Sequence, residues 1–264
     1  MKKYLVAYSI SLQETLQRRS TLIMDRVGGF AVVLSLYSFW NALLGGKPSF
    51  LGYTRPEMLT YVLAVNVLRA LVFTGRGWQI VGEISHGKIS SYLVRPISYH
   101  AYSLSLDLAQ KSVHVVSAFF EVALLAVFVR GGLFLPAHLA TWILFACSAV
   151  LASLIFFFME FLVASLAFWT SESGGPLFCF DLFLQFAAGA FFPLDVLPEA
   201  LRRLLSATPF PYLVFFPARI FLEKVPFAEA ARVLAIETAW LGVFLLAALS
   251  VWRAGVRSYA AEGG

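Results

Sequence analysis

The apolar residues of this chain gather into long runs divided by shorter polar stretches. The runs extend from about Val27 to Leu44, Met58 to Phe73, Val113 to Val129, Leu139 to Trp169, from near Leu177 onward, and from Val233 to Trp252. Crossing a hydrocarbon core of about 30 Å takes about 20 residues. Backbone groups in lipid must be bonded within the segment, so each run is expected to be a helix. The pattern predicts an all-α integral membrane protein with six transmembrane helices in a single domain covering residues 1–264. The fourth run is too long for an upright crossing and must tilt or continue past the membrane. The fifth is broken at Pro193 and Pro198.

Two regions depart from long apolar runs. In residues 1–22, Leu5, Tyr8, Leu12 and Leu16 recur at helical spacing, with Ser9, Gln13, Gln17, Arg18 and Arg19 elsewhere. That is the pattern of an amphipathic helix lying on the inner leaflet. A cleaved leader is not expected, because Gln13 and Glu14 interrupt the apolar run and no small-residue site follows. In residues 193–231, prolines 193, 198, 209, 211 and 217 divide apolar pieces too short to cross. Re-entrant or interfacial half-helices on the outer side fit this stretch, with Phe192, Pro193 and Pro198 as an outer gate. A plain outer loop anchored by its aromatic residues has the same composition.

Composition places the chain in lipid: 60% of residues are hydrophobic and 13% charged, against about 25% charged in soluble domains. Lys2, Lys3, Arg18, Arg19, Arg26, Arg76, Lys88, Arg95, Lys111, Arg253 and Arg257 fall on one side of the predicted layout. Lys47, Arg55, Arg130, Arg202, Arg203, Arg219, Lys224 and Arg232 fall on the other, and Arg69 lies within the second run. The larger set marks the cytoplasmic face, so both termini are expected inside, in a multi-pass protein of the cell inner membrane. The net charge of +5 suits contact with anionic lipid and calls for no nucleic acid.

Little else in the chain is catalytic in character. Cys147 and Cys179 lie in apolar surroundings without a C-x-x-C partner and are expected to pack as small hydrophobes. His86, His100, His114 and His138 are scattered, and no metal site is predicted. Gly82 to Lys88 has the G-x-x-x-x-G-K spacing of a phosphate-binding loop, but Ile89 stands where Ser or Thr would hold magnesium. Glu160 and Asp181 lie inside apolar runs. A carboxylate at that depth costs about 2.5 to 3.5 kcal/mol, so each should face protein, water or substrate.

The longest hydrophilic connection on the inner side spans residues 76–111. Pro96 disfavours a helical Arg95, so a short surface helix should end there. Here Ile84, Gly87, Ile89, Leu93, Val94, Arg95 and Pro96 form the pattern I-x-x-G-x-[IL]-x-x-x-L-[LV]-R-P. It resembles the cytoplasmic loop of permease subunits of type-2 ABC transporters, in particular a subgroup of about this chain's length encoded with a separate ATPase. AFWTSES, at Ala167 to Ser173, is similar to the end of the fourth span in that subgroup. GAFFPLDVLPEALRRLLSATPFPY, at Gly189 to Tyr212, resembles its G-x-x-F-P-x-x-x-L-P segment and the following turn. Lys88 departs, standing where an acidic residue is common.

The resemblance implies an exporter in which two permeases, identical or paralogous, form the path and two ATPase subunits dock below, holding ATP and magnesium. This chain would carry no cofactor and no catalytic residue of its own. Glu83, Ile84, Gly87, Tyr92, Arg95 and Pro96 would couple it to the ATPase. Abundant Phe in the fourth and fifth runs favours a hydrophobic or amphipathic cargo. Two other classes stay open: an ion-coupled carrier or channel using Glu160 and Asp181, and an intramembrane enzyme, for which no nucleophile or base stands at plausible spacing.

Overall fold

The computed structural model describes residues 2–45, 49–128, 132–170 and 174–259. Lys47, Arg130 and the last three residues of AFWTSES lie outside them. Helix α1 (Lys2–Gln17) runs almost directly into α2 (Arg19–Leu43), with Leu22 N–H still donating to the Arg18 carbonyl at 3.1 Å. A small hairpin follows, β1 (Ser49–Phe50) antiparallel to β2 (Tyr53–Thr54). Its turn holds Leu51 at φ 50° and Gly52 at φ 77°, two left-handed residues in succession as tight hairpins require. Thr54 opens α3 (Arg55–Val72). Its N–H donates to Glu57 Oε2 at 2.7 Å, and Pro56 sits in the first turn, where no amide donor is needed.

Past α3 the chain forms α4 (Gly77–Ser85), α5 (Ile89–Leu93) and α6 (Tyr99–Phe128). Then come α7 (Leu139–Ala164), closed by a 3-10 turn at Ser165–Phe168, and α8 (Gly174–Ala187). The last three helices are α9 (Glu199–Ser206), α10 (Phe215–Phe221) and α11 (Phe227–Ser258).

Five helical stretches among the described residues are long and apolar enough to cross a membrane: Leu22–Leu43, Arg55–Ser85, Tyr99–Val127, Leu139–Phe168 and Phe227–Ser258. The fifth expected span does not reach that length. Helix α8 has 14 residues, about 21 Å at 1.5 Å per residue, where a crossing takes about 30 Å. Gly189, at φ 79°, turns the chain just beyond it, and the path continues in short helices rather than one rod.

Helix α3 is the centre of the bundle. Met58, Leu59, Tyr61, Leu68 and Val72 are buried around its whole circumference, as expected of an interior helix. Met58, Tyr61, Leu68 and Val72 meet Ile155, Phe156 and Met159 of α7, Leu184 of α8 and Ala218 of α10 in one continuous core. Helix α2 lies at the edge, with 6% of its most apolar window buried against 67% for α3 and α4. Phe120 and Val127 of α6 and Leu246 of α11 point outward, an apolar exterior suited to lipid. Cys147 and Cys179 are on this exterior too. Each falls on the outward, apolar side of its helix.

Helix α1 packs along α6. Tyr8 and Ser112 share a hydrogen bond of 2.9 Å, Ser11 is buried, and the Ser98 N–H donates to the Tyr4 hydroxyl at 3.0 Å. The expected apolar stripe is therefore divided: Tyr8 and Leu12 turn inward, whereas Leu5 and Leu16 are exposed. The polar side chains of α1 find partners on α6, and Leu5, Val6 and Ile10 are left outside.

Candidate functional site

The break between α3 and α4 is made of Phe73, Thr74, Gly75 and Arg76, and its shape follows from a side chain on another helix. Glu160 of α7 projects into the space beside Gly75 and Gly77, where it is 4% exposed. A Cβ at position 77 would lie 2.6 Å from Glu160 Cγ, and one at position 75 would overlap the carboxylate itself. The carboxylate lies beside the Gly77 N–H. It thus lies at the N-terminus of α4, where unpaired amides and the helix dipole favour negative charge. Asp181 of α8 lies beside Trp78, the next residue of α4, with its Oδ1 buried and without a hydrogen-bond partner among the described residues. The two carboxylates singled out in the sequence therefore grip the root of the segment that the sequence set apart as a coupling element.

Around that root is a nearly closed polar cluster. Arg76 is buried and pairs with Glu83 at 3.0 Å, and Glu83 also accepts from the Tyr99 hydroxyl. Asp107 and Lys111, one turn apart on α6, form an ion pair of 2.8 Å with both side chains almost fully buried. Lys111 donates to Ser153 Oγ at 2.9 Å, and Ser153 in turn donates to the Leu71 carbonyl at 3.2 Å, tying α6, α7 and α3. Lys111 is thus no part of a hydrophilic loop, and α6 takes up the chain from Tyr99. A buried charge is tolerated only when paired and hydrogen-bonded, and Asp107 and Ser153 meet that condition for Lys111.

The apolar side of α4 and α5 continues the anchorage. Ile80, Ile84 and Ile89 are buried with Phe157, Phe161 and Trp252. Gly87, at φ 73°, makes the turn between the two helices. Gly82 lies inside α4, so the G-x-x-x-x-G-K spacing has none of the strand-loop-helix setting of a phosphate-binding loop. Tyr92 is half-buried against Tyr99 and Tyr102. Burial, the hydrogen bond to Tyr102 and the nearby Glu83 charge push its phenol up to about 12.

The tip beyond Tyr92 is different. Leu93 is 43% and Val94 84% exposed, Arg95 lies over the Tyr92 ring at 5.7 Å, and the Pro96 carbonyl accepts a bond from Lys3 Nζ of α1. Ser90 and the Tyr259 hydroxyl are 3.3 Å apart. The tip therefore lies at the same end of the bundle as both α1 and the end of α11. Of the sequence-selected residues, Glu83, Ile84 and Gly87 are structural supports of the segment, and Arg95 and Pro96 stand on its open face. Leu93 and Val94 are the apolar surface there, a signal already present in the exposed L-V-R-P sequence.

At the other end of the bundle, Phe192 packs against the core and Pro193 is buried, while Pro198 is exposed ahead of α9. The residue that organises this end is Asp195, which accepts from the Tyr53 hydroxyl at 2.7 Å. It also faces Arg202 at 3.5 Å and Arg219 at 3.9 Å.

Two carboxylates inside apolar runs escaped the sequence reading. Glu121 of α6 faces Arg26 at 3.5 Å and accepts from Asn66 Nδ2 at 2.9 Å. Glu237 of α11 is fully buried and accepts from Ser148 Oγ at 2.6 Å. Their charge is as visible in the sequence as that of Glu160, and their helix partners are what the sequence conceals.

Two cavities adjoin the end of the bundle that carries α4. One of about 560 Å³ lies between α1, α4 and α6 and is lined by Glu14, Arg18, Arg76, Glu83 and Lys88 among others. A second, of about 330 Å³, lies between α2, α3 and α8 and reaches Arg69 and Gln185. Asp25 borders both.

Comparison with known families gives one match: the model described as ABC-2 family transporter protein covers residues 30–263. No curated protein matches the chain. Helix α1 lies outside the matched range, and everything from the middle of α2 onward lies within it.

Proposed function

The chain belongs to the ABC-2 family of transporter proteins, and from that premise we propose that it is the transmembrane subunit of an ATP-driven exporter that works with a separate ATPase. The ATPase docks on the exposed face formed by Leu93, Val94, Arg95 and Pro96. Its movement passes through Tyr92, Gly87, Ile84 and Glu83 to the root of α4, and from there to α7 and α8. ATP and magnesium belong to that partner, and this chain contributes no catalytic group.

The observation that carries this reading is the contrast within a single segment. Its tip is apolar and exposed, and its root is held by Glu160 and Asp181 from two helices of the core. A force applied at the tip reaches the bundle through fixed contacts rather than through a slack loop. The shared end of Lys3, Pro96, Ser90 and Tyr259 supports an orientation with both termini cytoplasmic in the cell inner membrane. In this arrangement α8 and the short helices after it form a broken fifth passage that closes the outer mouth. A second permease, identical or paralogous, covers the open side of α2, and the cargo is hydrophobic or amphipathic.

The ion-coupled alternative gains no support from the geometry, because Glu160 and Asp181 each pack beside α4 and, among the described residues, join no cluster of ion ligands. The test is purification of the tagged chain from its native host in gentle detergent, with mass spectrometry and an ATPase assay. An ATPase should accompany the chain and be released or uncoupled by Val94→Asp or Arg95→Ala. A stable chain that carries no ATPase sinks the proposal.

A further inference from the structure

Arg69 is the cation in the apolar runs that the fold leaves without a carboxylate. It lies near the end of α3 and makes one hydrogen bond, from Nη2 to Gln185 Oε1 of α8 at 2.8 Å, with its guanidinium 5.3 Å from the centre of the Phe191 ring. Among the described residues no acidic side chain comes within ion-pair distance of it. Each neighbouring charge has another engagement or stands apart. Glu121 is taken by Arg26 and Asn66. Arg26 also meets His114 at 2.9 Å. Asp25 lies on the rim of the same cavity, is exposed, and forms no ion pair among the described residues. A guanidinium offers five N–H donors, and Arg or Lys inside a membrane segment ordinarily faces a partner or a water-filled cavity.

The space beside Arg69 is the 330 Å³ cavity between α2, α3 and α8. Its wall carries Asp25 and Arg26 at the rim, is polar at Asn66, Thr74 and Gln185, and is apolar at Val32, Val33 and Phe73. Gln185 uses its oxygen on Arg69, which leaves its NH₂ group to donate. Gly28 and Gly29 border the cavity on α2, and a Cβ at either would meet nothing within 4 Å.

We infer that this cavity binds the anionic head of an amphiphile, a phosphate, sulfate or carboxylate, with Arg69 as the charge partner, Gln185 and Thr74 as further donors, and Val32, Val33 and Phe73 against the tail. The inference rests on the exporter reading and gives its cargo a sign of charge. The same chemistry is present in a bilayer phospholipid, so the source of the head group has to be separated by experiment.

The full chain is purified into nanodiscs of zwitterionic phosphatidylcholine, and its thermal unfolding is followed with added dodecyl phosphate or dodecyltrimethylammonium. Dodecyl phosphate should stabilise the protein and the cationic probe should not. Arg69→Gln should weaken dodecyl phosphate binding by about tenfold or more, the scale of a charged hydrogen bond, and Arg69→Lys should retain part of it. Phosphatidylglycerol in the nanodisc competing with the probe identifies a lipid head as a ligand. Failure to compete points to a freely diffusing amphiphile, and both results support the site. Equal responses to the two probes, or an Arg69→Gln protein that binds dodecyl phosphate as the wild type does, overturn the inference. Should Arg69→Gln fail to fold, the wild-type comparison of the two probes and the Arg69→Lys protein still decide. Anion binding by a chain that copurifies with no ATPase would sink the exporter reading and leave this site standing.

Discussion

Gly75 leaves the room that Glu160 fills: a methyl group at position 75 would overlap the Glu160 carboxylate. A glycine that serves as the counter-shape of a side chain on another helix makes a sharp prediction. Gly75→Ala should destabilise the protein by about 1–3 kcal/mol, the usual cost of overpacking a close-fitted interior. The double change Gly75→Ala with Glu160→Ala should recover part of that loss, since the overlap disappears. Thermal unfolding of the four proteins in one detergent gives the coupling energy, and additive effects would refute the shape argument.

Asp107 and Lys111 form a pair that neither partner can leave alone. Lys111→Met should cost about 3–5 kcal/mol, because it strands a buried carboxylate. The double change Asp107→Leu with Lys111→Met should cost much less, because no charge is then left behind. The ranking of unfolding temperatures checks this, and a double variant worse than the single one would contradict it.

Asp195 ties the hairpin to the short helices at the other end through Tyr53, Arg202 and Arg219. Asp195→Ala removes the acceptor for all three and should loosen the segment from Leu194 to Lys224 while leaving α3 and α7 protected. Hydrogen exchange with peptide mapping should show faster exchange there. Unchanged exchange in that segment would mean the apolar contacts of Phe192 and Pro193 suffice.

Tyr92 has its phenol raised to about 12, first by burial, then by Tyr102 and the Glu83 charge, against about 10 for a free tyrosine. A group that binds its proton more tightly when folded contributes stability that is complete below pH 10 and lost as pH climbs through 12. The difference in tyrosinate absorbance between wild type and Tyr92→Phe should therefore appear only near pH 12. A difference already complete at pH 10 would place the ring in water.

The long apolar runs made most of the helices legible, because a period of 3.6 and a membrane length leave few choices. What the runs concealed were the places where polar residues serve the interior. Lys111 has the sequence pattern of an inner-face charge, because nothing in one dimension tells that Ser153 awaits it on α7. Glu121 and Glu237 were passed over though their charge was in plain view, and the short reach of α8 was hidden by apolar residues that continue past its end at Ala187. Glu160 and Asp181 were recognised as costly in lipid, and their common partner, α4, became visible only when the helices were packed.

Helix α1 finds its hydrogen-bonding partners far along the chain: Tyr8 and Ser112 are 104 positions apart. At synthesis rates of about 5–20 residues per second, Tyr8 leaves the ribosome several seconds before the surface it will occupy has been made. During that interval its hydroxyl and the Ser11 hydroxyl have only water, lipid head groups or a chaperone to meet, while Leu5, Val6 and Ile10 are free to rest on the membrane. The final seat of α1 is therefore a late event in biogenesis, waiting on the insertion of α6.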